Sequence, residues 1–172
     1  GLGRTMARVL AAKTTMRLVA VCDTAGYAIS NEGITPEELE ALPPGATVRH
    51  LERGGTASDD GIGALLARHE AFDGIFLALP NLPNEFIPGV VDRIAASGWR
   101  GAVVDALKRT RAVEQILERH EALKAAGVTY VTGCGATPGL LTAAAALAAQ
   151  SFVEVEDVTV WFGVGIASWE SY

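Results

Sequence analysis

Apolar residues occur in short runs, and the longer segments between these runs carry apolar residues at helical spacing. The short runs predict buried strands at residues 18–21, 74–79, 102–104 and 128–131. The intervening segments predict helices at residues 4–12, 36–42, 60–69, 84–96, 110–126 and 139–150. Apolar strands that alternate with helices are typical of a parallel sheet covered on both faces. We therefore predict an α/β fold with a Rossmann-type doubly wound parallel sheet.

Capping residues support the helix boundaries. Thr35 precedes a proline and is a good N-cap, and Asp59, Asn84 and Thr110 stand at the start of three further helices. Gly127 follows the end of the longest predicted helix, where a left-handed glycine commonly ends a helix.

The pattern changes after residue 150, where valines alternate with acidic and polar residues. This alternation is typical of a half-exposed antiparallel strand. The alternating residues are Val153, Val155, Val158, Val160 and Phe162. We therefore predict a Rossmann-type domain at residues 1–150 and the start of a second, α+β domain with an antiparallel sheet at residues 151–172. We also expect the first strand of the former and most of the latter to be missing from this chain.

The composition argues against several kinds of partner. The chain has 14 Lys and Arg against 20 Asp and Glu, a net charge of −6, which argues against a general nucleic-acid or membrane binder. The apolar runs are too short to cross a membrane. Cys22 and Cys134 lie far apart and match no metal-binding spacing, so we predict no metal site and a reducing, cytoplasmic location.

The first three residues predict a phosphate-binding turn. Gly1, Leu2 and Gly3 precede the first helix, and glycines there let the backbone approach a pyrophosphate at the helix N-terminus. Asp23 ends the next strand, roughly twenty residues on, where an acidic residue bonds the adenine ribose hydroxyls. This arrangement predicts NAD or NADP as the cofactor, with the acid favouring NAD. The alternative for Asp23 is a residue that forms a turn at the end of the strand.

A second cofactor-binding segment is predicted after the strand at residues 74–79. Ala78, Leu79, Pro80 and Asn81 close that strand at its carboxyl end, the edge at which ligands of such sheets bind. Asn81 would bond a ribose or carboxamide group. The alternative is an ordinary turn that leads to a helix capped by Asn84.

Lys108 follows the next strand at the same edge, with Asp105 before it and Arg109 directly after it. Partial desolvation or a neighbouring cation lowers the pKa of a lysine and makes its amine a nucleophile toward carbonyl groups. Asp105 would orient the amine or shuttle protons. Lys108 and Asp105 are thus candidate catalytic residues, although the residues alone favour a solvated loop lysine.

A glycine-rich loop, GCGATPG, follows the last strand of the Rossmann pattern and enters a helix. Backbone N–H groups in such loops suit a carboxylate or another anion. We therefore predict that Gly135, Thr137, Pro138 and Gly139 bind substrate. The alternative is a tight strand-to-helix turn with Pro138 near the first helical position.

Several of these segments together resemble one family. They are ALPNLPN, VVDALKRT, TGCGATPGLLTAAAALAAQSFVEV and GVGIASWESY. The chain resembles the BioU family, saccharopine-dehydrogenase-like, self-modifying (S)-8-amino-7-oxononanoate synthases of biotin synthesis. The resemblance covers nearly the whole chain and is densest over residues 77–172. The loop GCGATPG also resembles the proline-glycine loop of saccharopine and diaminopimelate dehydrogenases.

The resemblance implies that Lys108 is the family's reactive lysine. Its amine would condense with the 7-keto group of 8-amino-7-oxononanoate, NADH or NADPH would reduce the imine, and CO2 would carbamylate the neighbouring 8-amino group. Oxidation on the lysine side and hydrolysis would release 7,8-diaminononanoate carbamate and leave an aldehyde at residue 108, so each protein would act once. The implied partners are this substrate and CO2 or bicarbonate, with neither nucleic acid nor a membrane, and a homo-oligomer stays open.

Two other functions stay open. One is a multiple-turnover NAD(P)-dependent oxidoreductase of the saccharopine or homoserine dehydrogenase type, with Lys108 as an acid–base group or substrate anchor. The other is a non-enzymatic nucleotide-binding module. Trp169, Glu170 and Tyr172 belong either to the substrate site or to an interface. We expect the 172-residue chain alone to be inactive.

Overall fold

The computed structural model describes residues 2–79, 82–106, 109–161 and 163. It contains two compact units, Gly1–Thr132 and Gly133–Tyr172.

A three-stranded parallel sheet forms one part of the first unit. Its strands are β4 (Gly74–Leu77), β5 (Gly101–Asp105) and β6 (Val128–Val131), in the order β4-β5-β6. Helix α4 (Phe86–Ala96) connects the first two strands, and helices α5 (Thr110–Leu117) and α6 (His120–Ala126) connect the last two. The predicted α/β fold with a parallel, Rossmann-type sheet is confirmed.

The parallel sheet and its helices bury one apolar core. Trp99 is 1% exposed, and its indole N–H donates to the carbonyl of Phe72 at 2.8 Å, so the large ring is buried with its polar atom satisfied. Short β-branched strands and the inner faces of the helices supply the rest of the core. The buried residues are Leu66, Ile87, Val90, Val91, Ile94, Trp99, Val103, Ile116, Leu123 and Val128.

A second sheet of the first unit is antiparallel. Its strands are β1 (Ala20–Asp23), β2 (Gly26–Ile29) and β3 (Gly55–Ala57), in that order, and the helices nearby in sequence are α1 (Leu2–Ala11), α2 (Pro36–Glu40) and α3 (Gly61–Leu66). Their own small core contains Ala7, Ala28, Ile34, Leu39 and Leu51.

The strand predicted at residues 18–21 was expected in the parallel sheet, and that placement is wrong. It forms as β1, two residues later, and turns back through a tight hairpin in which Asp23 pairs with Gly26. The backbone of β1 forms its hydrogen bonds with β2 of this hairpin instead of with a strand of the parallel sheet. The turn residues between β1 and β2 are Thr24 and Ala25, which are not the Asn-Gly or Asp-Gly pair of a strong hairpin signal, so β2 was not predicted.

Two predicted helix ends are confirmed, and three are corrected. Thr35 caps α2 with a complete capping box, and Gly127 ends α6 in the left-handed region at a φ of 74°. Asp60 caps α3 instead of Asp59, because its side chain accepts from the Gly63 N–H at 3.0 Å. The N-caps of α4 and α5 are Glu85 and Arg109, one residue from the predicted Asn84 and Thr110.

The helix predicted at residues 110–126 is interrupted between α5 and α6. The carbonyl of Gln115 accepts a hydrogen bond from the Arg119 guanidinium at 2.6 Å, while the Arg119 N–H bonds the Ile116 carbonyl at 3.0 Å. This tighter i to i+3 bond replaces the regular helical one. The same guanidinium binds Asp92 of α4 through two bonds, of 2.6 and 2.9 Å, which ties the interruption to the neighbouring helix.

The second unit contains helix α7 (Leu140–Ala149), which has no buried residue. The antiparallel strand predicted from residue 153 onward does not form over residues 152–161, which are exposed and have neither helix nor strand. Strand geometry requires a hydrogen-bonding neighbour, and the described residues offer these valines none. Phe162 lies outside the described residues.

Within the described ranges, no helix combines the length and the apolar character needed to cross a membrane.

The core of the parallel sheet yields a stability prediction. Ile94 on α4 is 1% exposed, whereas Leu117 on α5 is 64% exposed. We expect Ile94→Ala to lower the free energy of unfolding by about 2–5 kcal/mol, because it leaves a cavity. Leu117→Ala should change it by no more than about 0.5 kcal/mol. Urea unfolding followed by circular dichroism measures both, and equal effects would contradict this assignment of the core.

Candidate functional site

A buried carboxylate marks the carboxyl end of the parallel sheet. Asp105, the last residue of β5, is 1% exposed. Its Oδ2 atom accepts from the hydroxyl of Tyr130 at 2.6 Å, and its Oδ1 atom accepts from the hydroxyl of Thr132 at 2.8 Å. Burying a carboxylate is costly unless it is hydrogen-bonded, and these two bonds supply partners for both oxygens.

The register of the sheet explains how the two hydroxyls reach one carboxylate. Val103 pairs with Tyr130 and Val104 with Val131, so Asp105 lies at the level where β6 ends. Residues two apart on a strand point to the same face. Tyr130 and Thr132 therefore lie on one face of β6 and its continuation, and both hydroxyls reach Asp105.

Tyr130 is held in its protonated form. Burial is the largest cause that raises the pKa of its hydroxyl far above the usual range; the hydrogen bond to Asp105 and the negative charge of that carboxylate add to the effect. The phenol thus remains a donor to Asp105 over the whole physiological range.

Asp105 was predicted as a site residue from the sequence, whereas Tyr130 and Thr132 were not. The available signal was the alternation of polar residues in VTYVT (residues 128–132) beside a strand that ends in an acid. Using that signal requires the pairing register of β5 and β6, which the sequence pattern alone does not provide.

A second contact joins the segments that follow β4 and β5. The Arg109 guanidinium donates to the side-chain oxygen of Asn84 at 3.3 Å. Asn84 was predicted to cap α4; instead its side chain reaches Arg109, the residue after Lys108. Lys108 itself lies outside the described residues.

The predicted cofactor-binding segments near α1 and β4 lie side by side. A Cβ atom built on Gly3 would lie 3.5 Å from the Cβ atom of Ala78, so the first turn of α1 adjoins the chain leaving β4. Leu2 begins that turn, and Leu79 follows Ala78. Gly1, Pro80 and Asn81 complete the predicted set but lie outside the described residues.

Asp23 forms a turn at the end of β1. Its Oδ1 atom accepts from the Ala25 N–H at 2.9 Å, and its Oδ2 atom accepts from the Val48 N–H at 2.8 Å. The turn-forming interpretation therefore holds. Each oxygen retains a further lone pair, and the residue is exposed, so a ribose contact stays a prediction.

The glycine-rich loop of the second unit is closed by its own hydrogen bonds. The Gly135 N–H donates to the carbonyl of Pro138 at 3.0 Å, and the Leu140 N–H donates to the carbonyl of Gly135 at 2.9 Å. Gly139 has a φ of 133°, and a side chain there would collide with the carbonyls of Gly133 and Gly135. The tight-turn interpretation holds, and the Gly135 amide is used inside the turn. The exposed Thr137 and Pro138 stay predictions as substrate contacts.

Among the described residues, no group of three or more His, Cys, Asp or Glu side chains is arranged to hold a metal ion.

Comparison with known proteins identifies the family. A curated protein of Haloferax mediterranei, named (S)-8-amino-7-oxononanoate synthase BioU, is 38% identical to this chain over 195 aligned positions. The chain belongs to the BioU family. The alignment covers 98% of the chain and 55% of the relative, so the chain spans about half the length of the curated relative that it matches. No family model matches the chain.

The family assignment confirms the resemblance inferred from the sequence motifs. The relative's name connects that protein with (S)-8-amino-7-oxononanoate. The buried Asp105 and its hydroxyl partners lie in the aligned part of this BioU-family chain.

The Tyr130 hydroxyl should not ionise while the protein is folded. Because its pKa is raised in the folded state, the folded protein keeps a proton that the unfolded chain loses above about pH 10. The associated stabilisation is therefore complete below that pH and declines as the pH rises above it. In ultraviolet titrations, we expect wild type and Tyr130→Phe to show equal phenolate absorbance while folded. After alkaline unfolding, wild type should show one phenolate more, and an excess already present in the folded protein would contradict the prediction.

Proposed function

We propose that the full-length gene product carries out a single-turnover step of biotin biosynthesis in which Lys108 donates its amine. The substrate would be 8-amino-7-oxononanoate, and the product would be 7,8-diaminononanoate carbamate. The observation that carries the proposal is the buried Asp105, oriented at the sheet edge three residues before Lys108 in a chain of the BioU family.

The first bond forms between Lys108 and the substrate. The Nζ atom attacks the 7-keto carbon and water leaves, which gives an imine. A nicotinamide cofactor, NAD or NADP, would supply the hydride that reduces this imine and later accept a hydride from the Cε atom of Lys108. Between these events CO2 adds to the neighbouring 8-amino group. Hydrolysis on the lysine side then releases the nitrogen with the product and leaves an aldehyde at residue 108.

Asp105 suits the proton transfers of this sequence. Condensation needs a neutral amine and a group that takes and returns protons at the carbinolamine stage. Three peptide units span at most about 11 Å, so Asp105 is a near neighbour of Lys108 along the chain. Its carboxylate is shielded from solvent and fixed by two donors, which suits a proton-transfer group.

The first turn of α1 fits the predicted cofactor. Gly3 has no side chain between the helix backbone and the chain at Ala78, and the first N–H groups of a helix are available to phosphate oxygens. Leu2, Gly3, Ala78 and Leu79 would hold the cofactor together with Gly1, Pro80 and Asn81, and Asp23 would contact the adenine ribose. We also propose a cytoplasmic location for the protein. A homo-oligomer stays open.

Peptide mass mapping tests the role of Lys108. The full-length gene product is incubated with 8-amino-7-oxononanoate, NADH and bicarbonate, and residue 108 should lose about one dalton, amine to aldehyde, with at most one product per protein. In a separate reaction, cyanoborohydride replaces NADH and should trap the imine at residue 108.

The matched variants are Lys108→Arg, which should abolish both mass changes, and Lys124→Arg on the exposed face of α6, which should preserve them. Many products per protein with an intact Lys108 would overturn the proposal in favour of a multiple-turnover dehydrogenase. Cofactor binding with neither product nor imine would favour a nucleotide-binding module.

A substitution at Gly3 tests the cofactor assignment. Gly3→Val should weaken NADH binding by about tenfold or more, because an isopropyl group in the first turn keeps phosphate from the backbone N–H groups. Fluorescence titration with NADH and NADPH measures the affinities, and Asp23 predicts tighter NADH binding. The control is Gly89→Ala on α4, where an added Cβ meets nothing within 4 Å. Equal NADH affinity in wild type and Gly3→Val would remove α1 from the cofactor site.

A further inference from the structure

We propose that Tyr130 and Thr132 are positioning residues that hold the Asp105 carboxylate in the orientation needed for proton transfer at Lys108. The inference rests on the proposed function of Lys108 and extends it to two residues of β6 and its continuation. Both act through Asp105, by hydrogen bonds of 2.6 and 2.8 Å.

The burial of Asp105 is the first argument. In the part of the chain that the structure describes, Asp105 is the one charged side chain that is buried. An apolar residue at this position would avoid the cost of desolvating a carboxylate. A buried acid at the carboxyl end of a parallel strand is therefore better explained by chemistry at that edge than by packing.

The kind of donor is the second argument. The carboxylates of Asp60 and Asp92 are bound by guanidinium groups, those of Arg93 and Arg119. The bonds from β6 and its continuation to Asp105 come instead from neutral hydroxyls. A neutral donor fixes the orientation of a carboxylate without bringing a positive charge of its own, which suits a group that takes and returns protons.

The geometry of the two bonds is the third argument. The hydroxyls bind different oxygens of the carboxylate, so together they oppose rotation about χ2, a torsion that is otherwise broad in aspartate. Tyr130 remains a phenol because burial and Asp105 raise its pKa, so its donor role persists at every pH at which the reaction would run.

The test follows the rate of cyanoborohydride trapping at Lys108 in the full-length gene product, with saturating 8-amino-7-oxononanoate. We expect Tyr130→Phe and Thr132→Val each to slow trapping by about 10- to 100-fold. The substrate concentration that gives half the maximal rate should change by less than about threefold, because neither residue binds substrate. The double variant should be no slower than Asp105→Asn, because both residues act through that carboxylate.

Conservative and matched variants separate positioning from stability. Thr132→Ser keeps the hydroxyl and should restore the rate to within about twofold of wild type. Thr129→Val lies on the same strand at an exposed position, and Tyr27→Phe lies in the antiparallel sheet. Both controls should react like wild type, and thermal unfolding should show every compared variant folded.

The outcomes for the two proposals are distinct. If wild-type protein forms no adduct at Lys108, the proposed function fails, and this inference fails with it. If wild type reacts and Tyr130→Phe and Thr132→Val react equally fast, the positioning role is wrong while the proposed function stands. A slow Thr132→Ser variant would likewise overturn the role of the Thr132 hydroxyl.

Discussion

The paired hydrogen bonds from Tyr130 and Thr132 to Asp105 are the constraint around which the parallel sheet is organised at its carboxyl edge. They satisfy a carboxylate that is 1% exposed and join the ends of two adjacent strands. Removing one donor would leave a buried acceptor oxygen short of a partner, which costs more than the bond itself contributes. The register of β5 and β6 is thus supported by polar contacts as well as by the apolar core beneath them.

The local architecture was largely predictable from hydrophobic periodicity. The strand at Val128–Val131 and the capping box at Thr35 followed from short-range signals. The antiparallel sheet could not be predicted in this way, because β1 joins it through a hairpin without a characteristic turn sequence. For the alternating valines after residue 152, a strand was predicted and none forms. An alternating pattern becomes a strand only beside a hydrogen-bonding neighbour.

Asp105 could be predicted as a site residue from the sequence, whereas its hydrogen-bond partners could not. Asp105 follows an apolar run, which placed it at the sheet edge from sequence alone. Tyr130 and Thr132 required the register, since a shift of one residue would turn both hydroxyls to the other face. Asn84 shows that a good capping residue can have another role, because its side chain binds Arg109 while Glu85 begins α4.

Family membership and geometry bear on different residues of the proposed reaction. The resemblance selects Lys108, and the hydrogen bonds select Asp105 with its two donors. A lysine that would be consumed once gains nothing from rapid product release, so the demand on the protein would fall on the condensation, the two hydride transfers and the proton transfers that accompany them. A carboxylate fixed on a strand meets that demand better than one on a loop, because strand side chains are held more rigidly by their neighbours. The buried Asp105 is therefore the point at which the fold would determine whether Lys108 reacts.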